Sequence, residues 1–159
     1  MAIPEFILQL RQHVGTSLLW LTGVSAVVRN EHGEILLARR ADSGEWAVIS
    51  GILEPGESPG PAIAREVAEE ADIEIALERI TSVTTSPVIA YPNGDQAQYI
   101  DICFAARHIS GNPRPADGEN TDIGWFPPDR LPTDLAATSR ERITLALSTG
   151  PQAWFEDAR

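Results

Sequence analysis

Apolar positions recur with two periods along this chain, and the switches between them outline its elements. Phe6, Ile7, Leu10 and Val14 fall near one face at helical spacing and Gly15 closes the segment, so Pro4 to Val14 is predicted to be a short amphipathic helix. Two strands follow, Leu18 to Arg29 and Ile35 to Arg40, with Glu31-His32-Gly33 as the hairpin turn between them. Trp46 to Ser50 is a third short strand. Ser58 is placed to cap the next helix, Pro59 fits its first turn, and Ile63 and Val67 give that helix an apolar stripe. Extended chain is predicted from Ile73 to Val83 and from Thr84 to Ala90, interrupted at Pro87. A turn at Tyr91-Pro92-Asn93-Gly94-Asp95 leads into a strand over Ala97 to Arg107. Beyond it lie a polar, proline-rich loop from Gly111 to Asn120, a strand closed by Gly124 to Pro127, a turn at Pro128 to Leu131, and a final helix from Thr138 to Leu147. Strands and helices mix without strict βαβ alternation, which predicts an α+β fold rather than a doubly wound sheet.

The helix after Ser58 carries Glu66, Glu69 and Glu70. At about 100° per residue these positions share one face. Like charges at that spacing weaken a helix by roughly 0.2–0.5 kcal/mol per pair. Most glutamate-rich faces simply point into water, and three glutamates alone favour that outcome. The surrounding segment changes the balance. Gly51 is followed by five residues and Glu57, then by seven residues and Arg65-Glu66-Val67-x-Glu69-Glu70. This run resembles the box of the Nudix hydrolases, G-x5-E-x7-R-E-U-x-E-E-x-G-U with U aliphatic. Every defined position matches except the last glycine, where Asp72 stands. A match over so many spaced positions is far more specific than a lone glycine motif. Glycine there would serve a left-handed helix end, and aspartate is among the few residues that tolerate the same conformation. An acid at a helix C-terminus also opposes the dipole, so Asp72 is expected to be a small stability defect.

The resemblance implies an α/β/α Nudix sandwich with a mixed sheet over residues 17–159; residues 1–16 lie outside it as a helical extension read from the apolar spacing alone. Two berths are open to that extension: the domain itself, or a partner subunit in a homodimer. It also implies hydrolysis of a phosphoanhydride in a nucleoside diphosphate linked to another group, with Mg2+ (or Mn2+) as cofactor. By the same resemblance Glu66 and Glu70 are the direct metal ligands and Glu69 the third, while Glu57 and Arg65 form a structural pair. Ser50, where a glycine is usual, offers its backbone carbonyl to metal. A downstream loop acid acts as general base in this family. Glu119, six residues before Trp125, is the first choice, with Asp122 and Asp117 as competitors. Substrate contacts are expected at Arg39 and Arg40 for phosphate, at Trp46 for base stacking, and at Tyr91 in the turn. Each has a plainer role: a solvated strand end for the arginines, core packing for the tryptophan.

Composition narrows the chemistry further. With 159 residues and 43% hydrophobic content the chain is of single-domain size, and no apolar run is long enough to span a membrane. A formal charge of −11 disfavours a nucleic acid polymer as partner. All twelve basic residues are arginine, which removes P-loop and Schiff-base chemistry at a stroke. One cysteine, Cys103, and an acidic rather than basic start fit a reducing cytoplasm. Pro87 lies about fifteen residues beyond the box, near a position associated in this family with ADP-ribose, so the expected substrate is ADP-ribose or a nucleotide sugar. Ordinary or oxidised nucleoside triphosphates are the alternative. A nucleotide-sensing domain that binds without cleaving is the rival of another class, although such domains tend to lose the box acids present here.

Overall fold

The computed structural model describes residues 3–148 and 150–157. Its elements follow in the order α1 (Glu5–Val14), β1 (Leu19–Arg29), β2 (Ile35–Arg40), β3 (Trp46–Ala47), β4 (Ile49–Ile52), α2 (Pro59–Ala71), β5 (Glu74–Thr85), β6 (Ile89–Ala90), β7 (Gln96–Ser110), β8 (Asn120–Phe126) and α3 (Ala137–Leu147). The strands join in one sheet of order β3-β2-β1-β7-β5, with β4 on β1, β6 on β7 and β8 on β2. Only β1 and β7 run parallel; the other pairs are antiparallel. The sheet is mixed, as the α+β expectation requires.

Side chains alternate across a strand, so β1 feeds two cores. Val24, Ala26 and Val28 pack with Ala62, Ile63, Val67 and Ala71 of α2. Val27 instead packs with Leu37 of β2, Cys103 of β7, and Ile143 and Ala146 of α3. Burying Ile63 and Val67, both fully enclosed, contributes about 1.5–3 kcal/mol each. One helix on each face makes the sandwich. The apolar stripe of α2 therefore faces the sheet, and its carboxylates come off a neighbouring edge of the same helix.

Several boundaries differ from the sequence expectation for physical reasons. Trp46 to Ser50 is two strands because the chain changes partner at Val48, β3 pairing with β2 and β4 with β1. The Val48 N–H, which no strand satisfies there, donates to Ser139 Oγ at 3.1 Å. Ser58 stands at the α2 N-cap with extended backbone, but its hydroxyl makes no capping bond. Asp72 ends α2 in the left-handed region, at φ 55° and ψ 40°. Its carboxylate pairs with Arg114 at 2.7 Å, which offsets the charge that opposes the helix dipole.

The first helix lies on its own chain's sheet. Of residues 1–16, the first two lie outside the described residues. Ile7 of α1 is buried against Leu21 of β1 and Ala97 of β7. Arg11 donates to the carbonyls of Gly15, Ser17 and Gln96 and pairs with Asp95 at 3.4 Å. Among the described residues no helix is long and apolar enough to cross a membrane.

Candidate active site

Glu66 and Glu70 lie four residues apart on α2, and the helix turns both toward the β-sheet. They are 6% and 2% exposed. Gly51 of β4 makes this possible. Its backbone is not in the left-handed region, so what glycine supplies there is space: a Cβ at that position would overlap the Glu66 side chain. The preceding Ser50 also avoids positive φ, so serine replaces the usual glycine without backbone strain.

Burial has consequences for both acids. The Glu70 carboxyl is pushed up to about 7, chiefly by desolvation, with Asp117 and Glu66 adding repulsion against a bond from Asn120. Asn120 Nδ2 donates to Glu70 Oε2 at 2.8 Å. Glu70 Oε1 is enclosed and has no protein partner, and Asn120 Oδ1 is likewise enclosed without one. Burial also raises Glu66, while Arg65 pulls the other way.

Arg65 organises the rest. Its Nε and Nη2 grip Glu57 as a two-pronged pair at 2.9 and 3.1 Å, and its Nη1 reaches Glu66 and Glu69 at 3.1 Å each. That guanidinium holds the Glu57 carboxyl below the usual range. Glu69, with a half-exposed side chain, points outward and is held by Arg65. The family resemblance implies Glu66 and Glu70 as direct metal ligands with Glu69 the third; among the described residues, no three acidic, histidine or cysteine side chains already converge on a metal position. The remaining fit is narrower but specific. A hard cation takes one or two carboxylates plus water and phosphate oxygens, and Glu66 with the open Glu70 oxygen supplies that donor set.

A cleft of about 940 Å³ opens beside these groups. Glu57, Arg65, Glu66, Glu69, Asp117 and Glu119 line it, together with the Glu54-Pro55-Gly56 loop and, from the other end of the chain, Ile3 and Pro4. Glu119 is anchored by its backbone: its carbonyl accepts the Ala41 N–H at 2.8 Å and its N–H donates to Asp117 Oδ1 at 3.0 Å. Asp122, one of the competing bases, is absent from the cleft lining and pairs across the strands with Arg39.

The expected substrate contacts are distributed differently. Arg39 and Arg40 are consecutive on β2 and so face opposite ways. Arg39 bonds Gly44 O at 3.0 Å and lies 3.6 Å from Asp134. Arg40 is held by Asp42 at 2.9 Å, and its charge also acts on Glu70 and Asp117. Trp46 is a correction: it is 9% exposed and meets Phe126 edge-on at 4.8 Å, so its ring is spent in the core. Tyr91 shares a 3.0 Å hydroxyl bond with Tyr99 and does not line the acidic cleft. Pro87 lines a separate cavity of about 330 Å³ on the α3 side. Two features went unread in the sequence. Asn120 meets Glu70 across fifty residues of chain, a contact with no local pattern. Pro4 gave only a helix-start signal, and Ile3 gave none.

Comparison with known proteins agrees with this geometry. The NUDIX domain model matches residues 20–146. The chain is 31% identical over 140 residues to a MutT-like protein of Streptomyces ambofaciens, an alignment covering 86% of this chain and 83% of that one. It is 34% identical over 140 residues to the 8-oxo-dGDP phosphatase NUDT18 of Mus musculus, covering 84% of this chain but 39% of that protein. The crystal structure of a MutT NUDIX hydrolase from Burkholderia pseudomallei matches with a TM-score of 0.63 at 29% identity, over 80% of this chain and 98% of that one. With its box helix, its mixed sheet between helices and these relatives, the chain belongs to the Nudix hydrolase family.

Proposed function

We propose that this protein hydrolyses a phosphoanhydride bond of a nucleoside di- or triphosphate, with Mg2+ or Mn2+ held by Glu66 and Glu70. The observation that carries this is the enclosed Glu70 oxygen without a protein partner, beside a second buried carboxylate. Leaving such an oxygen unmet costs about 1–3 kcal/mol or more, a deficit that a bound cation removes. The cation, when bound, polarises a phosphoryl oxygen and acidifies water. The backbone carbonyl of Ser50 adds a further oxygen to the set. Glu119 takes the proton from the attacking water, its loop held against β2 by the Ala41 bond. Glu69, held by Arg65 at the cleft wall, would be the third carboxylate within reach of a bound cation. Arg65 and Glu57 keep the helix acids oriented, and Arg40 supplies positive charge near Glu70.

The substrate class is supported by relatives rather than by the fold. An 8-oxo-dGDP phosphatase at 34% identity and a putative 8-oxo-dGTP diphosphatase of Bacillus subtilis at 30% identity favour nucleoside di- and triphosphates, oxidised ones included. The ADP-ribose expectation rested on Pro87, and Pro87 borders the other cavity. A hydrolysis panel of 8-oxo-dGDP, 8-oxo-dGTP, ADP-ribose and a nucleotide sugar, with Mg2+ or Mn2+, tests this. Turnover of the first two above the others is expected. Full activity in Glu70→Gln refutes the metal assignment. Tight nucleotide binding without turnover of any compound supports a sensing domain instead.

A further inference from the structure

The cleft beside the acids is not built by residues 20–146 alone, because Ile3 and Pro4 line it too. Pro4 is tied to the start of α1. The Pro4 carbonyl accepts the N–H groups of Ile7 at 2.9 Å and Leu8 at 3.3 Å. Pro4 itself, at φ −55°, has little backbone freedom. Behind them, Ile7 and the Arg11 bonds tie α1 to β1 and β7. Ile3 is 51% exposed, so its aliphatic surface is available to a ligand in the cleft.

Charge divides the cleft into two kinds of wall. Apart from Arg65, its charged lining is carboxylate. Phosphates enter such a wall only together with cations. The uncharged part of a substrate gains nothing from carboxylates and buries best against apolar surface, and Ile3 and Pro4 supply it.

We propose that Ile3 is a specificity-determining contact for the nucleobase, which makes the segment before residue 17 a working part of the site. This rests on the hydrolase reading above, and the test separates the two. Ile3→Ser is compared with Leu8→Ser, which removes a similarly exposed side chain from the helix that follows, outside the cleft lining. Readouts are KM and kcat for the best substrate of the panel, inhibition by its nucleoside monophosphate and by ribose 5-phosphate, and Mn2+ affinity by calorimetry. Ile3→Ser is expected to raise KM about fivefold with kcat within about twofold, and to weaken the nucleoside monophosphate in proportion. Ribose 5-phosphate, Mn2+ affinity and the Leu8→Ser protein should be unaffected. Unchanged KM and inhibition in Ile3→Ser overturns the proposal, as does an equal loss for ribose 5-phosphate or an equal effect of Leu8→Ser. If the wild type hydrolyses nothing, the hydrolase reading falls and equilibrium binding of AMP takes over. Weaker AMP binding by Ile3→Ser then sustains the nucleobase contact, and equal binding ends it.

Discussion

Two of the buried carboxylates, Asp101 and Glu70, lie on opposite sides of the sheet and are treated in opposite ways. Asp101, 3% exposed on β7, faces α3. Its Oδ2 accepts from Ser25 Oγ at 2.8 Å and from Arg142 Nε at 3.0 Å. Glu70, equally enclosed on α2, has one neutral amide on one oxygen and nothing from the protein on the other. The first charge is neutralised for good by a covalently attached cation. The second is bonded by no arginine among the described residues. A buried ion pair is weak evidence for stability but strong evidence of intolerance to losing one partner. A buried acid with an open oxygen is evidence of a missing partner.

Four experiments test this contrast, from the largest expected effect to the smallest. Glu70→Gln should lower kcat about a thousandfold, since removing the ligand charge forfeits several kcal/mol of transition-state stabilisation. The same substitution bears on pH. Without metal, folded Glu70 holds its proton up to about 7 while the unfolded chain releases it near the ordinary 4.5. The folded state binds more protons in that window, so its stability is full below 4.5 and falls as pH rises towards 7, by at most about 3 kcal/mol. Denaturant melts of metal-free wild type should show this fall relative to Glu70→Gln, and saturating Mg2+ should abolish it. On the other face, Asp101→Asn should cost about 3 kcal/mol by leaving Arg142 without its counter-charge, with the Mg2+ dependence of activity untouched. Loss of the Mg2+ dependence in Asp101→Asn would erase the distinction. Asn120→Ala should weaken Mn2+ binding about tenfold, because the carboxylate it orients is then free to turn. Calorimetry showing unchanged affinity would remove Asn120 from the site.

How much of this was legible depended on how far apart in sequence the cooperating residues lie. Glu57, Arg65, Glu66 and Glu70 sit within fourteen positions, and helical periodicity alone predicts that Glu66 and Glu70 share a face. Periodicity did not show that Glu69 turns to Arg65, because which edge of a shared face meets the sheet is decided by packing of Ile63 and Val67. Trp46 was misplaced for a related reason: an aromatic at a strand start looks the same whether its ring meets a base or Phe126. The strands were readable from alternation, yet the partner change at Val48 was not, since pairing is settled between distant segments. Asn120 could not be read at all, because nothing local connects it with Glu70. The first helix was visible as an amphipathic pattern, while its place beside the cleft depended on Leu21 and Ala97.

The parallel pairing of β1 with β7 governs when this protein can become active during synthesis. Leu19 pairs with Ala97 and Arg29 with Arg107, so β7 must slot between β1 and β5 before the sheet is whole. A nascent chain carrying the entire box helix still lacks the strand that completes its support. Closing so long a loop favours slow folding and makes assembly of the acidic pair a late event on the ribosome.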